Sequence, residues 1–335
     1  MREPPELADD TIVGALQASF GIRVAALAFL PVGNDAASWA YRVLTAQGQA
    51  YFLKVRAGAG PMPGAAVPGH LHHHGVPHVL APLASGAGAP NVLVDGFSLA
   101  LYPMLDARTG AEGGLSPRQW RQLGVALRQL HAVPLTPELT RMVGREAFRP
   151  TGRELIADLD ALLTTPAADD PLTRELAGFW RARQGVIDGL VERADALGRH
   201  LARLSFPQVL CHADLHTWNV LVDADQQPWI VDWDEAILAP RERDLMFVVG
   251  GIGHGLVRPG DTDRFFQGYG RVGIDPGLLA YYRTAWAVQD IAAYGEQVLM
   301  MPTLGEETRR AAVDGFVDLF EPGNIVDLAG DGSLG

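Results

Sequence analysis

Three residues with oxygen-bearing side chains lie at short distances from one another in the second half of the chain. Asp214 and Asn219 belong to the segment CHADLHTWN, and Asp232 follows in WIVDWDE. The segments NVLVD and PWIVDW are apolar or alternating around ADQQ, which predicts a β-hairpin. Antiparallel pairing would bring Asn219, at the start of one strand, next to Asp232, at the end of the other. The spacing therefore predicts one site that contains all three side chains.

The donor types of this predicted site favour magnesium. Asn219 and Asp232 can share a cation, and Mg²⁺ prefers one or two carboxylate oxygens completed by water and phosphate oxygens. Zinc prefers His and Cys, and although His212 and His216 are close in sequence, the remaining ligand types are oxygen donors. Cys211 closes the apolar run FPQVLC, so we interpret it as a buried apolar residue and not as a thiol nucleophile.

The composition indicates an acidic globular protein. The chain has 335 residues, of which 48% are hydrophobic, and a formal net charge of -12. This length exceeds what one compact lobe usually holds, so we expect two lobes. The negative charge disfavours nucleic acid and anionic membranes as partners and attracts small cationic substrates. With a single cysteine, no signal-peptide pattern and no apolar run that could span a bilayer, we expect a cytoplasmic monomer or weak dimer.

The elements that must position the predicted site divide the chain in two. An alternating hairpin over 39–56 and strand-like residues over 92–105 precede the polar connector DARTGAEGG. Residues 57–69 are dense in glycine and proline, which predicts a weak or short helix there. Helices are expected over 11–20, 116–133, 153–163, 172–204, 244–251 and 278–300. We therefore predict an α+β fold with a mainly β N-lobe over 1–103 and a mainly α C-lobe over 104–335.

These motifs resemble a known family. The stretch from His212 to Asn219 resembles the catalytic loop HxDxxxxN of the aminoglycoside phosphotransferases, and the DWD that begins at Asp232 stands where protein kinases have DFG. The flanking segments WDEAILAPRERDLMFVVGG, FFQGYG, YYR and DIAAYGEQVL are similar to the spectinomycin phosphotransferase branch. The resemblance spans most of the chain. It implies a bilobal protein-kinase-like fold and an ATP- and Mg²⁺-dependent kinase for a hydroxyl of spectinomycin or a related aminocyclitol or aminoglycoside antibiotic.

The same resemblance implies a role for each matching residue. Asp214 would orient the substrate hydroxyl and accept its proton late in the transfer, while Asn219 and Asp232 would hold Mg²⁺ against the nucleotide phosphates. Lys54, in the strand YFLKV, would pair with the α- and β-phosphates. Three further residues are expected to contact the nucleotide, one at the end of the phosphate-covering segment GNDAAS and two at the connector: Ser38, Tyr102 and Met104.

One departure from the kinase pattern concerns the partner of Lys54. Kinases anchor this lysine with a glutamate on the following helix, yet the chain contains no glutamate between Lys54 and Glu112. The matching position lies near Gly64 or Ala65. An unpaired lysine would be less preorganised for binding phosphate. Three explanations stay open. Another acid from elsewhere in the chain replaces the glutamate, the protein is a weak catalyst, or the chain has lost part of the catalytic machinery.

The acidic charge suggests how substrate amines would be bound. Spectinomycin-like aminocyclitols carry protonated amines, which carboxylates at the mouth of a site can pair with and steer. The candidate carboxylates are Asp234, Glu235, Asp290 and Glu296. Asp244 is a brace for the catalytic loop by resemblance and a helix N-cap by its position in PRERDL. We interpret His70 and the run from His72 to His74 as a helix end, because consecutive helical residues point in different directions.

Two alternative functions remain. One is a kinase of the same fold that acts on another small hydroxylated molecule, such as a different antibiotic, a sugar or a choline-like amine. The other is a degenerate kinase that binds nucleotide with little turnover, which the missing glutamate suggests. Protein-kinase activity is not expected, because no segment after Asp232 resembles an activation loop with an APE-type anchor.

Overall fold

The computed structural model describes residues 4–32, 37–58, 60, 62–164, 170–301 and 304–330. An antiparallel five-stranded sheet lies in the N-terminal part, and a mainly helical region follows it. The predicted α+β class is therefore confirmed. Most of the expected phosphate-covering segment, residues 33–36, lies outside the described residues. Within the described ranges, no helix is both long enough and apolar enough to cross a bilayer.

The N-terminal sheet confirms the hairpin predicted over 39–56. Its elements are α1 (Asp9–Phe20), β1 (Val24–Leu30), β2 (Ser38–Thr45), β3 (Ala50–Ala57), α2 (Pro63–His73), β4 (Val92–Val94) and β5 (Phe97–Pro103). The strands are arranged β1-β2-β3-β5-β4, which puts β3 at the centre. Tyr41 pairs with Leu53 across the β2–β3 hairpin, and both pack against Leu16 of α1 in the core of this sheet. Alternation along β3 leaves the other face free to present polar residues to the site.

Helix α2 forms where glycine and proline predict a weak helix. Pro63 occupies its first turn, where a missing N–H costs little. Pro68 lies in its interior and cannot donate to the carbonyl oxygen of Gly64 four residues earlier. The hydroxyl of Tyr102 donates to that oxygen instead, over 2.7 Å. A contact from the sheet thus satisfies the group that proline leaves without a partner.

The helical region contains small strand pairs that carry the predicted site. Its elements are β6 (Ala107–Thr109), α3 (Gly110–Gly113), α4 (Pro117–Leu130), α5 (Pro137–Val143), α6 (Arg153–Thr164), α7 (Pro171–Leu201), β7 (Val209–Cys211), β8 (Val220–Asp223), β9 (Pro228–Ile230), β10 (Ile237–Ala239), α8 (Glu242–Leu245), α9 (Asp261–Tyr269), α10 (Pro276–Leu299), α11 (Glu306–Asp318) and α12 (Ile325–Gly330). Strand β8 pairs with β6 and β9, and β7 pairs with β10. The hairpin predicted around ADQQ is β8–β9, with Val220 opposite Ile230.

The helix predictions are confirmed for α4, α6, α7 and α10 with shifts of a few residues at their ends. The prediction over 244–251 is wrong in extent, because α8 ends at Leu245 and Gly250 and Gly251 then adopt positive φ angles of 79° and 73°. Helix α10 packs against α6, α7, α11 and α12. In the core between these helices, the ring of Trp180 stacks on that of Phe316 with centroids 5.4 Å apart.

Helices α4 and α9 cross so closely that only glycine fits at the contact. A Cβ atom on Gly268 would lie 2.0 Å from the carbonyl oxygen of Arg121, and one on Gly124 would lie 2.2 Å from that of Phe265. Both neighbours are backbone atoms, which cannot rotate out of the way. The crossing therefore fixes the distance between two helices that flank the β8–β9 side of the molecule.

Gly268→Ala is expected to destabilise the fold by about 1–3 kcal/mol, because the added methyl group must push two helices apart. Gly189→Ala in α7 is the matched control, since a Cβ there meets nothing within 4 Å. That control should gain about 0.5–1 kcal/mol of stability from helix propensity alone. Urea unfolding of both variants measures the two effects. A Gly268→Ala protein as stable as the control would contradict the close crossing.

Candidate active site

A buried carboxylate holds the loop that contains Asp214. Asp244 accepts the backbone N–H of His212 over 3.0 Å and that of Ala213 over 2.7 Å. Ala213 has a φ of 68°, a left-handed conformation that is costly for a residue with a Cβ. Burial alone would raise the pKa of Asp244, but hydrogen bonds from His131 and the loop backbone outweigh burial and lower it. The carboxylate therefore stays ionised and compensates for the strain at Ala213.

This placement decides between the two interpretations of Asp244. Asp244 lies inside α8, and the N-cap position of this helix is occupied by Arg241. His131 Nε2 lies 3.0 Å from the Asp244 carboxylate, and His131 Nδ1 lies 2.7 Å from the hydroxyl of Tyr269. Asp244 is thus a brace for the loop, and the N-cap interpretation is wrong.

Asp214 is held by two residues of its own loop. The side-chain nitrogen of Asn219 donates to the Asp214 carboxylate over 2.8 Å and to its carbonyl oxygen over 2.9 Å. His216 Nε2 lies 3.1 Å from the other carboxylate oxygen. Burial alone would lower the pKa of His216, but Asp214 and then Asp290 raise it above its usual value. The imidazole ring of His216 and the side-chain amide of Asn219 together fix the direction in which Asp214 points.

The β8–β9 hairpin brings Asn219 and Asp232 together as its spacing predicts. The N–H of Val231 donates to the carbonyl oxygen of Asn219 over 3.0 Å. The carbonyl oxygen of Val231 is 3.0 Å from His212 Nε2, which joins the end of the hairpin to the start of the loop that contains Asp214. Asp232 follows with a positive φ of 63°, which turns its side chain away from the path of the strand. Its carboxylate is half-exposed at the edge of the cleft.

Lys54 reaches across the cleft from the centre of the sheet. Its Nζ atom lies 2.6 Å from Asp234 Oδ2 and 3.0 Å from Asp232 Oδ1. Arg56 Nη1 lies 3.0 Å from the same oxygen of Asp234. Burial alone would lower the pKa of Lys54, but Asp232 and Asp234 raise it, so the ammonium group stays charged. The structure therefore brings Asp234 to these two cations, which corrects the expectation that it lies among the substrate acids.

The residues expected to contact nucleotide and metal share one cleft. It has a volume of about 350 Å³ and lies between the N-terminal sheet and the β8–β9 hairpin. The polar and connector residues that line it include Ser38, Lys54, Tyr102, Met104, Asn219 and Asp232. Apolar side chains such as Phe52, Leu80 and Leu221 form its walls. An apolar slot with an ammonium group and two oxygen donors at one end suits a flat ring attached to an anionic chain.

The other three predicted substrate acids are not among the residues that line this cleft. Glu235 and Glu296 line a second cavity of about 510 Å³ together with Arg243. Partial burial and the charge of Asp214 raise the pKa of Glu235. Burial, with a further contribution from Asp214, raises the pKa of Asp290 to about 7. Carboxylates next to Asp214 have an electrostatic preference for a cationic ligand, which would relieve their mutual repulsion.

The contacts of Arg56 with Asp234 and of His216 with Asp214 are not predicted from the sequence. Arg56 is two residues after Lys54 on the same strand, so the period of two already places both side chains on one face. From the sequence, His216 is interpreted only as a potential zinc ligand.

Cys211 is buried and its thiol donates to the carbonyl oxygens of Ala239 and Pro240, while burial raises its pKa. The interpretation of this cysteine as an inert residue is confirmed.

The histidines at the end of α2 make ordinary helix-end contacts. His70 Nε2 lies 2.8 Å from the carbonyl oxygen of Pro134, and His74 Nδ1 lies 2.9 Å from that of His70. In the described part of the chain, the group of three potential metal ligands found close together consists of His131, Cys211 and Asp244. His131 and Asp244 take part in the hydrogen bonds that hold the loop before Asp214, while the Cys211 thiol contacts the carbonyl oxygens of Ala239 and Pro240. All three side chains therefore have structural contacts.

The geometry agrees with comparisons to known proteins. A model described as the phosphotransferase enzyme family matches residues 28–287. The chain belongs to this family. The crystal structure of spectinomycin phosphotransferase APH(9)-Ia in complex with ADP and spectinomycin superimposes with a TM-score of 0.87 at 29% identity, covering 98% of this chain and 99% of that chain. The AMP-bound complex of the same enzyme gives 0.82 at 29% identity, covering 96% and 97%.

A more distant structure shows the same fold. An amicoumacin kinase in complex with AMP-PNP, Ca²⁺ and its ligand has a TM-score of 0.61 at 17% identity, with 95% of each chain covered. The protein-kinase-like fold and the resemblance to the aminoglycoside phosphotransferases are thus confirmed. The protein is an enzyme that transfers phosphoryl groups to small molecules. The division of the chain at residue 103 stays a prediction.

Asp290→Asn is expected to stabilise the protein in a pH-dependent way. The folded state holds the pKa of Asp290 near 7, above its ordinary value of 3.8, so ionisation opposes folding. This cost is absent below about pH 4, grows as the pH rises and is complete above about pH 7, where it amounts to at most about 4 kcal/mol. Thermal unfolding at pH 5 and pH 8 should show a larger gain for Asp290→Asn at pH 8.

The exposed Asp225, in the β8–β9 turn, supplies the control. Asp225→Asn removes the same charge at a surface position, where surface changes usually stay within about 0.5 kcal/mol. An Asp290→Asn protein whose stability gain is the same at both pH values would contradict the proposed environment of Asp290.

Proposed function

We propose that this enzyme transfers the γ-phosphoryl group of ATP, with Mg²⁺, to a hydroxyl of spectinomycin or a closely related aminocyclitol or aminoglycoside antibiotic. The observation that carries the proposal is the match over nearly the full length of both chains to a spectinomycin phosphotransferase. The enzyme would work in the cytoplasm, where ATP is available, in antibiotic resistance or in the self-protection of a producer. Its site would bind nucleotide in the cleft beside Lys54 and the antibiotic on the far side of Asp214.

The donor set at the edge of the cleft fits a magnesium ion. Asn219 uses its side-chain nitrogen on Asp214, which leaves its side-chain oxygen as a donor for a cation. Asp232 is half-exposed and directs one carboxylate oxygen to Lys54. These hard oxygen donors, few in number, match the preference of Mg²⁺ for sites completed by water and phosphate. When bound, the ion would neutralise charge on the nucleotide phosphates.

Asp214 would act on the acceptor hydroxyl. The substrate oxygen forms the new bond to the γ-phosphorus, while the bond between that phosphorus and the β,γ-bridging oxygen breaks and ADP leaves. The proton of the hydroxyl passes to Asp214 late, once bond formation has made it acidic. Asn219 and His216 hold the Asp214 carboxylate from two sides, so it is already oriented before substrate binds.

The positively charged phosphate-binding group would be Lys54. Its ammonium group is held in the cleft by Asp232 and Asp234, where the α- and β-phosphates of a bound nucleotide would lie. Ser38, Tyr102 and Met104 line the rest of that cleft. Tyr102 uses its hydroxyl on α2, so we assign it a wall of the adenine site and not a polar contact.

The antibiotic would be recognised by charge. Glu235 and Glu296 line the second cavity, and Asp290 lies close enough to Asp214 and His216 to perturb the pKa of His216. A protonated aminocyclitol would pair with these carboxylates and bring a neighbouring hydroxyl to Asp214. The formal charge of -12 would favour the approach of such a cation.

Asp214→Asn is expected to lower spectinomycin-dependent turnover by roughly 10²-fold or more, the usual contribution of a positioned acid-base group. It should leave the fold and nucleotide binding near intact, because the amide keeps the size of the side chain. Coupled measurement of ADP release gives the rate, and Asp225→Asn serves as the control for loss of one negative charge. Full activity in Asp214→Asn would remove Asp214 from the mechanism.

A panel of acceptors in the same assay separates the alternatives. Spectinomycin, several aminoglycosides, a sugar and choline should be compared at equal concentration, and we expect spectinomycin or a close relative to give the highest rate. Faster turnover with choline or a sugar would favour the other small-molecule kinase. Binding of nucleotide without turnover on any acceptor would favour a degenerate kinase.

A further inference from the structure

The helix that normally supplies the partner of the phosphate-binding lysine cannot do so here. Helix α2 has the sequence PGAAVPGHLHH, which contains no acidic residue. The ammonium group of Lys54 is nevertheless paired at 2.6 Å, by the carboxylate of Asp234. Asp234 comes from the loop after β9, on the other side of the cleft from Lys54. The acid that the kinase pattern lacks is therefore supplied from a different part of the fold.

We propose that Asp234 is a positioning residue that takes the place of the missing helix glutamate, in space that Gly64 leaves open. A Cβ atom built on Gly64 would lie 1.9 Å from Asp234 Oδ1 and 3.0 Å from its Cγ. Gly64 does not have a positive φ, so its backbone conformation does not require glycine. What requires glycine at this position is the carboxylate opposite it.

Gly64 cannot move away from Asp234 at low cost. Its carbonyl oxygen accepts the hydroxyl of Tyr102 over 2.7 Å, and Tyr102 is a buried residue of the central sheet. The neighbouring Ala65 and Met62 pack with Tyr102 in the same small core cluster. The first turn of α2 is thus attached to the sheet, and a side chain at position 64 would compete directly with Asp234.

Two cations make this nearly buried carboxylate stable. The Asp234 side chain is 12% exposed, and its Oδ2 atom pairs with Lys54 over 2.6 Å and with Arg56 over 3.0 Å. A carboxylate removed from water is unfavourable unless such partners compensate for its lost hydration. Arg56, on the same face of β3 as Lys54, therefore holds the Asp234 carboxylate in place beside the lysine.

The pairing of Asp234 with Lys54 also reduces the competition between Lys54 and Mg²⁺ for Asp232. Lys54 touches both carboxylates, at 2.6 Å for Asp234 and 3.0 Å for Asp232. Without Asp234, the lysine would have Asp232 as its remaining acidic partner among the contacts described, and would compete with Mg²⁺ for that residue. Asp234 thus orders the lysine and leaves Asp232 available to the metal.

The ion pair between Lys54 and Asp234 joins the two sides of the cleft. A helix glutamate belongs to the same side of the cleft as its lysine, whereas Asp234 approaches from the hairpin side. The ion pair can form only when the sheet and the β8–β9 hairpin are close together. Ordering of Lys54 by Asp234 therefore depends on the distance between the sheet and the β8–β9 hairpin.

A double-mutant cycle on Mg·ATP affinity tests this role, which rests on the proposed nucleotide site but needs no antibiotic. Asp234→Ala is expected to weaken Mg·ATP binding by roughly ten- to hundredfold, the range for two coupled residues in contact. In a Lys54→Met background the same change should have almost no further effect, because Asp234 acts through the lysine. Titration calorimetry gives the four affinities, and Asp225→Ala is the control variant.

Equal losses in both backgrounds would overturn the proposal, because Asp234 would then act on metal or nucleotide directly. If Asp234→Ala fails to fold, Asp234→Asn keeps the volume and removes the charge, and the same cycle applies. Absence of Mg·ATP binding to the wild-type protein would contradict the proposed function and this role with it. Loss of spectinomycin turnover alone, with the cycle as expected, would contradict only the assignment of the antibiotic.

Moving the carboxylate back to the helix gives a second test. Gly64→Glu alone is expected to weaken Mg·ATP binding, because the new side chain collides with Asp234. Combined with Asp234→Ala, which frees the space, it should bind Mg·ATP at least roughly tenfold more tightly than either single variant. The combined variant should be folded, as judged by circular dichroism. If it binds Mg·ATP no more tightly than the weaker-binding single variant, the idea that a carboxylate at position 64 can replace the one at position 234 is contradicted.

Discussion

The hydrogen bonds that Asp244 accepts from the backbone before Asp214 are the constraint on which the site depends. They hold Ala213 in a left-handed conformation and so determine where the next residue points. The loop then continues through Asn219 into β8, and the β8–β9 pairing places Asp232. A fully buried carboxylate would be unstable without compensation, and His131 together with the backbone donors provides it. The geometry of the candidate site therefore depends on a buried residue outside the loop itself.

The second constraint is the balance of charge around the cleft. Asp232 and Asp234 lie within 3.0 Å of Lys54, and Asp234 also contacts Arg56. Burial and the charge of Asp214 raise the pKa values of two other carboxyl groups, those of Glu235 and Asp290. Such a site gains free energy by taking up cations. A metal ion on the nucleotide side and a protonated amine on the substrate side would each relieve this repulsion.

Local patterns in the sequence predicted the parts of the site that local structure determines. The β8–β9 hairpin and the adjacency of Asn219 and Asp232 follow from strand alternation around a short turn. The pairing of Lys54 with Asp234 could not be predicted in this way, because the two residues are 180 positions apart. The absence of a glutamate was visible in the sequence, but the carboxylate that replaces it depends on the tertiary fold.

Two segments show how tertiary contacts and backbone turns modify the predicted elements. Helix α2 forms despite its glycines and Pro68, because the hydroxyl of Tyr102 satisfies the carbonyl group that proline leaves without a donor. The helix expected over 244–251 ends at Leu245, and the chain turns further at Gly250 and Gly251, which have positive φ angles. In the first case a tertiary contact supports a weak local preference. In the second case the apolar residues 246–249 form turns and a bend instead of a helix.

Identification of the product tests the proposed reaction most directly. Purified protein should be incubated with spectinomycin, ATP and Mg²⁺, and the antibiotic should be analysed by mass spectrometry and ³¹P NMR. We expect a single added phosphoryl group with the signal of a phosphate monoester, formed together with one equivalent of ADP. Unmodified spectinomycin after long incubation with folded protein that binds Mg·ATP would contradict the assignment of this enzyme as a spectinomycin kinase.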